Sequence, residues 1–150
     1  MSLQDKVMDA MKTAMKAKDS QSLEALRAVK SAILLAQTES GAKTDLSEDQ
    51  EIKLLQKLVK QRKDSAAIFA EQGRDDLAQP ELAQAEVISQ FLPAQLSEDE
   101  VATIVDAIIA ETGASSMKDM GRVMGMANSK LAGQADGKTI SGIVKNRLSQ

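Results

Sequence analysis

The side chains that do most chemistry near neutral pH are absent from this chain. It has no histidine, cysteine, tryptophan or tyrosine, so it lacks both the group that titrates in that range and the readiest nucleophile. Carboxylates, lysines, hydroxyls and backbone amides remain, and no pair of them has a recognisable catalytic spacing. We therefore expect a protein that binds rather than one that catalyses a reaction, with no catalytic residue, no metal site and no cofactor.

Basic residues gather near the C-terminal end. Residues 97–111 hold five acids and no base, whereas residues 112–150 hold six bases against two acids, a local net charge of +4 in a chain whose total is −3. A positive end on an acidic protein favours anionic partners. Its basic residues are candidates for RNA binding: Lys118, Arg122, Lys130, Lys138, Lys145 and Arg147. The alternative is ordinary surface charge, with cations near the C-termini of helices.

A second set of anion-binding candidates lies in the middle of the chain. Its members are Lys53, Lys57, Lys60 and Arg62. The three lysines recur at i, i+4 and i+7, and a solvated helix face is the simpler explanation for them. The arginine occupies one position of an otherwise apolar helical series. A buried guanidinium needs a partner, so an ion pair with Glu81 or Glu86 is the simpler explanation there.

Four glycines are candidates for close approach by another molecule. Gly121 and Gly125 lie four apart on one face of a predicted helix, where each costs about 1 kcal/mol relative to alanine. Close packing of a second helix is one explanation, and close approach of a phosphate backbone is the other. Gly133 and Gly137 bound a tight turn into a helix, and a helix N-terminus beside Lys138 is a generic anion site. The segment is too short for a Walker loop.

Apolar residues at helical spacing predict the elements that position these side chains. We expect seven helices: one over about 3–17, one capped by Asp19 or Ser20, one over about 48–72 opened by a capping box at Ser47, one over about 74–92, one opened by a capping box at Ser97, one over about 117–131 and one after Asp136. The acids after Ser47 and Ser97 fall in first turns, where the helix dipole favours them.

The same spacing predicts which side chains face inward and where the chain divides. The methionines at 8, 11, 15 and 117 and the leucine at 77 are all predicted to be buried.

Pro80 predicts a kink or a restart of the fourth helix, and the polar stretch 39–45 predicts an exposed loop. Pro93 and the start signal around Ser97 predict a boundary. The chain is therefore predicted to be all-α, with an N-terminal domain of about four helices over 1–93 and a three-helix tail domain over 94–150.

Several strings together resemble the YqeY family, whose domain is shared with the tail of the GatB subunit of the glutamyl/aspartyl-tRNA amidotransferase. The strings are Ala14-Met15-Lys16-Ala17-Lys18-Asp19, Leu26-Arg27, Lys60-Gln61-Arg62-Lys63, Gly73-Arg74, Phe91-Leu92-Pro93, and Met120-Gly121, Met124-Gly125, Lys130, Gly133 and Ala135-Asp136-Gly137. They span almost the whole chain in the family's order. Phe91 departs from the tyrosine that is common there. The large amidotransferase domain that performs the chemistry in GatB has no counterpart in this chain.

The resemblance implies a function connected with tRNA-dependent amidation. In the amidotransferase, the tail helps to hold the tRNA while distant active sites transfer ammonia from glutamine. The implied class is carbon–nitrogen ligase with glutamine as amido-N-donor, although no catalytic machinery is visible in this sequence. We therefore expect a tRNA-binding or amidotransferase-accessory module in the cytoplasm, with tRNA or another structured RNA as partner. Neither a membrane nor a specific DNA sequence is an expected partner. The alternative is a protein–protein interaction adaptor that acts through its helix surfaces and methionine-rich face.

Overall fold

Helices account for all the regular structure that the computed structural model describes, over residues 2–39 and 45–149. Seven α-helices occur in these residues: α1 (Leu3–Lys16), α2 (Ser20–Glu39), α3 (Glu48–Glu71), α4 (Asp75–Ser89), α5 (Glu98–Thr112), α6 (Met120–Lys130) and α7 (Gly137–Leu148). The predicted all-α class is confirmed. Most of the loop predicted over 39–45 lies outside the described residues. No helix in the described ranges combines the length and the apolar character needed to cross a membrane.

Side-chain caps start these helices where the sequence predicts them. The Ser47 hydroxyl accepts a hydrogen bond from the backbone N–H of Gln50 at 3.2 Å, and Gln50 Oε1 accepts one from the Ser47 N–H at 2.9 Å. Ser97 and Glu100 form the same reciprocal box at the start of α5. Asp19 caps α2, and the hydrogen bond from the Ser22 hydroxyl lowers the pKa of its carboxyl group. Each cap satisfies amide groups that have no partner within the helix.

Three helix ends turn through a left-handed residue. After α3 that residue is Gly73, at φ +72°, and the N–H of Arg74 donates to the carbonyl of Phe69 at 2.8 Å. After α5 it is Gly113, at φ +69°. After α1 it is Lys18, at φ +56°, and the N–H of Asp19 donates to the carbonyl of Ala14 at 2.9 Å. The same turn is thus made twice with glycine and once with a residue whose Cβ disfavours it.

Replacing Lys18 by glycine is expected to stabilise the protein by about 1 kcal/mol, because glycine removes the steric cost of the left-handed conformation. Lys16→Gly serves as the control, since a glycine in the last helical turn is expected to destabilise by roughly 0.5–1 kcal/mol. Urea unfolding followed by circular dichroism measures both changes. A Lys18→Gly protein that unfolds at lower urea than wild type would show that the lysine side chain itself contributes to stability.

The described chain divides into two compact units, Met1–Leu92 and Pro93–Gln150. In the N-terminal unit, α1 and α4 both pack against α2, and α3 packs along α4. Its core consists of aliphatic residues and alanines: Leu3, Val7, Ala14, Ala25, Leu26, Val29, Ile33, Leu55, Val59, Ala85 and Ile88. Ala66 and Ala78 are also buried but lie outside this cluster.

Several predicted core positions of this unit are wrong. Met8 and Met15 are exposed and Met11 is only half-buried, whereas Ala14 takes the buried place on α1. Leu77 is exposed, and its neighbour Ala78 is buried instead. In both helices the apolar stripe is wider than the buried one, and the smaller residue faces the neighbouring helix. The large side chains then lie on the flank, where they meet solvent.

Pro80 does not interrupt α4, so the predicted restart is wrong. Proline removes one N–H donor, which would otherwise bond to the carbonyl of Asp76. Both residues are exposed, and water can satisfy a carbonyl at such a place. The helix therefore continues through the proline, and it ends at Ser89 rather than at the predicted residue 92.

The C-terminal unit is a three-helix arrangement in which α5, α6 and α7 all pack against one another. Its core is Val101, Val105, Ile108, Ala114, Val123, Ala127, Leu131, Ala135, Ile140, Val144 and Leu148. Leu96 packs against this cluster, which includes the buried Val101, and the two residues hold the positions of a hydrophobic staple around the Ser97 cap. Residues Met117–Asp119 form a 3₁₀ turn rather than the predicted first turn of an α-helix. Met117 is consequently exposed, and Val123 fills the core position that the spacing missed.

Candidate functional site

Three of the six basic candidates in the C-terminal unit are held in ion pairs. Arg147 Nε donates to Asp106 Oδ1 at 2.9 Å, which joins α7 to α5. The other two pairs are longer: Arg122 Nη2 lies 3.3 Å from Asp119 Oδ1, and Lys130 Nζ lies 3.7 Å from Glu111 Oε2. Exposed pairs of this kind contribute little to stability, but each places a negative charge directly beside the cation.

The other three candidates have no ion pair among the described residues. Lys118 lies in the 3₁₀ turn, and Lys138 and Lys145 lie on α7. All three are exposed. The α7 lysines are seven residues apart and so share a face of that helix, opposite the buried Ile140 and Val144. We call these three residues the unpaired lysines.

The net charge of the whole C-terminal unit is close to neutral, although residues 112–150 alone carry a net charge of +4. Residues 93–150 contain six bases and seven acids, a net charge of −1. Five of the seven acids precede residue 112 and all six bases follow it, but the fold brings α5 against α6 and α7. Positive charge that could bind an anionic partner is therefore limited to particular residues and does not extend over the whole unit.

Gly121 and Gly125 lie on the exposed side of α6. A Cβ built at either residue meets no atom of the described structure within 4 Å, so these glycines are not explained by the packing of a second helix of this chain. That explanation is wrong. Each still weakens the helix relative to alanine. Nothing in the described part of the molecule offsets that weakening.

A third open glycine, which the sequence reasoning missed, lies on α7. Gly142 is exposed and has no atom within 4 Å of its Cβ position. It follows Lys138 by four residues and precedes Lys145 by three, so all three share one helix face. The signal was available in the sequence as the spacing Lys-x3-Gly-x2-Lys.

The turn into α7 has a structural explanation. Gly133 is buried and left-handed at φ +78°, and its carbonyl accepts a hydrogen bond from Gln95 Nε2 at 2.6 Å. At the N-terminus of α7, Asp136 Oδ1 accepts a hydrogen bond from the N–H of Thr139 at 2.7 Å. The chain's own carboxylate thus lies where a bound anion would lie. Gly137, the first residue of α7, is exposed with open space around its Cβ position.

Arg62 has a different partner from the one predicted. Its side chain is half-buried, as the apolar series indicates, but Nε donates to Gln84 Oε1 at 3.1 Å and Nη1 donates to the carbonyl of Leu58 at 3.1 Å. Neither Glu81 nor Glu86 pairs with it. A neutral amide satisfies the guanidinium because the site is only partly desolvated, and so the positive charge is not neutralised there.

The remaining middle candidates lie on the exposed side of α3. Lys60 Nζ contacts Asp64 Oδ2 at 2.6 Å, one helical turn away. Lys53 and Lys57 are exposed and have no ion pair within residues 2–39 and 45–149. This is the solvated face that the spacing indicates.

The acidic clusters occupy the first turns of α3 and α5, as predicted. Desolvation raises the pKa of Glu51, and the neighbouring Glu48 adds to the shift. Within the described ranges, no three carboxylates converge on a site that could hold a metal ion.

Comparison with known proteins identifies a family and two relatives of this chain. The model of the YqeY-like protein family matches residues 4–148. A glutamyl-tRNA(Gln) amidotransferase subunit of Thermococcus gammatolerans is 36% identical over 75 residues, which is 47% of this chain and 12% of that protein. "Altered inheritance of mitochondria protein 41, mitochondrial" of Clavispora lusitaniae is 38% identical over 82 residues, which is 55% of this chain and 46% of that protein.

These matches confirm the resemblance drawn from the strings of residues. The chain spans less than half the length of each of these two relatives, so they share a region with it rather than a whole architecture. The family match, by contrast, runs through both units, from α1 to the end of α7. The chain belongs to the YqeY-like protein family.

Proposed function

We propose that this protein is an RNA-binding accessory module for tRNA-dependent amidation, without a catalytic centre of its own. The observation that carries the proposal is the sequence match to a subunit of a glutamyl-tRNA(Gln) amidotransferase. The match covers only a small part of that subunit, which is consistent with a module that binds while other domains react. The class by resemblance is carbon–nitrogen ligase with glutamine as amido-N-donor, and this chain is proposed to assist such an enzyme.

The unpaired lysines support RNA as the partner, and so do the glycines with open space around their Cβ positions, Gly121, Gly125 and Gly142. Lysines that form no ion pair among the described residues can neutralise phosphates and release the counterions around them. Helix faces that lack side chains let a sugar–phosphate backbone approach the peptide backbone closely. These two features occur together on α7, at Lys138, Gly142 and Lys145.

The same residues favour folded RNA over single strands. The chain has only two aromatic residues, Phe69 and Phe91, and both lie in the N-terminal unit. Recognition of unpaired bases depends on aromatic stacking, which the C-terminal unit cannot provide. A surface of lysines and glycines instead suits the shape and phosphates of a helical stem.

A titration with bulk tRNA at several salt concentrations tests this proposal. We expect a dissociation constant in the micromolar range or weaker, rising as salt rises. An unstructured oligonucleotide of the same length should bind more weakly. Absence of tRNA binding at low salt would contradict the proposal and favour a protein adaptor.

Replacing Gly121 and Gly125 by alanine separates stability from binding. Each change is expected to stabilise α6 by about 0.5–1 kcal/mol, since alanine is the better helix former and its Cβ meets open space. If RNA approaches this face, the added methyl groups should weaken tRNA binding. Urea unfolding and the tRNA titration measure the two effects on one variant. Unchanged binding in a stabilised protein would exclude this face from the RNA interface.

A further inference from the structure

The N-terminal unit contains a groove of about 760 Å³ to which α1, α2 and α4 each contribute residues. Its first wall is Ala10, Thr13 and Ala14 of α1 with Ala17, the residue that follows the helix, and on α4 its wall includes Ala83 and Val87. The residues of the first wall recur at i, i+3, i+4 and i+7 and the α4 residues at i and i+4, so each wall is a ridge that follows its helix. The α1 ridge spans about two turns, roughly 10 Å.

Small side chains make the groove wide enough to admit another helix. Four of its wall residues are alanines, and its floor includes Leu26 of α2, which is buried in the core. Packed helices lie about 8–10 Å apart, and the shorter distances require small residues at the contact. Both α1 and α4 pack against α2. The groove therefore has the form of an unfilled helix position above α2.

The charged residues that line the groove have one sign. Its only charged lining residues are Asp19 and Glu86, and no lysine or arginine lines it. The Asp19 carboxylate accepts two hydrogen bonds from Ser22 and remains in place as the cap of α2. The Glu86 carboxylate is exposed on α4 and has no hydrogen bond or ion pair among the described residues. Leu82, which is also exposed, lies one turn before Glu86 on the same helix.

We propose that this groove docks an amphipathic α-helix of a partner protein, with small or medium apolar residues on its inner face and basic residues beside them. The alanine ridges set the size of the inner face, and the two carboxylates set the sign of the flanking charge. The two negatively charged carboxylates repel phosphate groups, so the groove does not suit RNA. The groove lies in the N-terminal unit, and the proposal does not rest on RNA binding by the C-terminal unit.

Selection from a display library of helical peptides on the full-length protein tests this. Fluorescence anisotropy then measures the best peptide on wild type and on three variants. Glu86→Lys reverses the charge at the groove, and Ala83→Leu fills it. Glu71→Lys is the matched control, since it makes the same charge change at an exposed site on α3, which contributes nothing to the groove.

The expected result is a set of peptides with basic residues beside an apolar stripe. Their binding should weaken about tenfold or more in Glu86→Lys and Ala83→Leu, and stay within about twofold of wild type in Glu71→Lys. Amide NMR shifts on peptide binding should centre on Ala10, Ala17 and Ala83. Circular dichroism confirms that each variant is folded.

Four results would overturn the proposal. One is the absence of any selected peptide that is sensitive to Glu86→Lys and Ala83→Leu, and another is a selected set that is acidic. Sedimentation of the protein alone could reveal a dimer that Glu86→Lys dissolves, which would make a second copy the occupant. Weaker tRNA binding by Ala83→Leu would place nucleic acid in the groove instead.

Discussion

Leu131→Ala is expected to lower the stability of the C-terminal unit by about 2–5 kcal/mol while the N-terminal unit keeps its own stability. Leu131 is fully buried in the cluster of the C-terminal unit. Truncating such a side chain loses its transfer free energy and leaves a cavity. We propose that the two units unfold separately, because each has its own core and a complete capping box with its staple begins the second.

Hydrogen exchange by NMR on the full-length protein measures both units in one experiment. Amide protection should fall across α5, α6 and α7 and remain unchanged across α2 and α4. Leu55→Ala is the reciprocal control, since Leu55 is buried in the N-terminal core, and it should produce the opposite pattern. An equal loss of protection in both units, from either substitution, would show one cooperative fold and sink the proposed independence.

The helix starts could be read from the sequence because they are local. A capping box uses residues three apart, and its hydrogen bonds form whatever the rest of the chain does. Ser47 and Ser97 were therefore placed correctly, and the predicted end of α3 near residue 72 is within one residue of the observed end. The 3₁₀ turn at Met117–Asp119 was not, since the apolar spacing does not distinguish a first α-helical turn from a tighter one.

Which face of each helix is buried was harder to predict, because burial depends on which other helices pack against it. Methionine carries a strong apolar signal, and yet Met8 and Met15 are exposed while Ala14 is buried. Close packing of helices selects small residues at the contact, and alanine contributes little to an apolar pattern. The same bias hid Ala78, which is buried on α4.

The sequence predicted which residue types make up the candidate site. It could not predict which of the cations are paired with a carboxylate. A sequence lists Arg147 as a cation, but whether Asp106 on another helix lies 2.9 Å from it depends on the fold. In the same way, only the structure shows that Arg62 contacts Gln84 rather than a glutamate. The fold thus divides six apparently equal cations into a paired set and an unpaired set. That division leads to the second large expected effect.

Removing the three unpaired lysines together is expected to reduce the log–log salt slope of tRNA binding by about three units. Each lysine that neutralises a phosphate contributes close to one unit to that slope. The variant is Lys118→Ala/Lys138→Ala/Lys145→Ala, and all three residues are exposed, so the fold should be retained. Filter binding or anisotropy at four or more salt concentrations gives the slope directly.

Two controls separate a local contact from a general change of charge. Lys12→Ala/Lys30→Ala/Lys63→Ala lowers the net charge by the same amount at exposed sites of the N-terminal unit, and it should leave the slope unchanged. Removing the Lys130–Glu111 pair by alanine at both residues keeps the net charge, and it should also have little effect, because a paired cation gives up a partner to bind phosphate. A slope that falls equally in the first control would mean that RNA responds only to overall charge. A slope that falls in the second would mean that paired cations contact phosphate. Either outcome would remove the reason for placing the interface at the unpaired lysines.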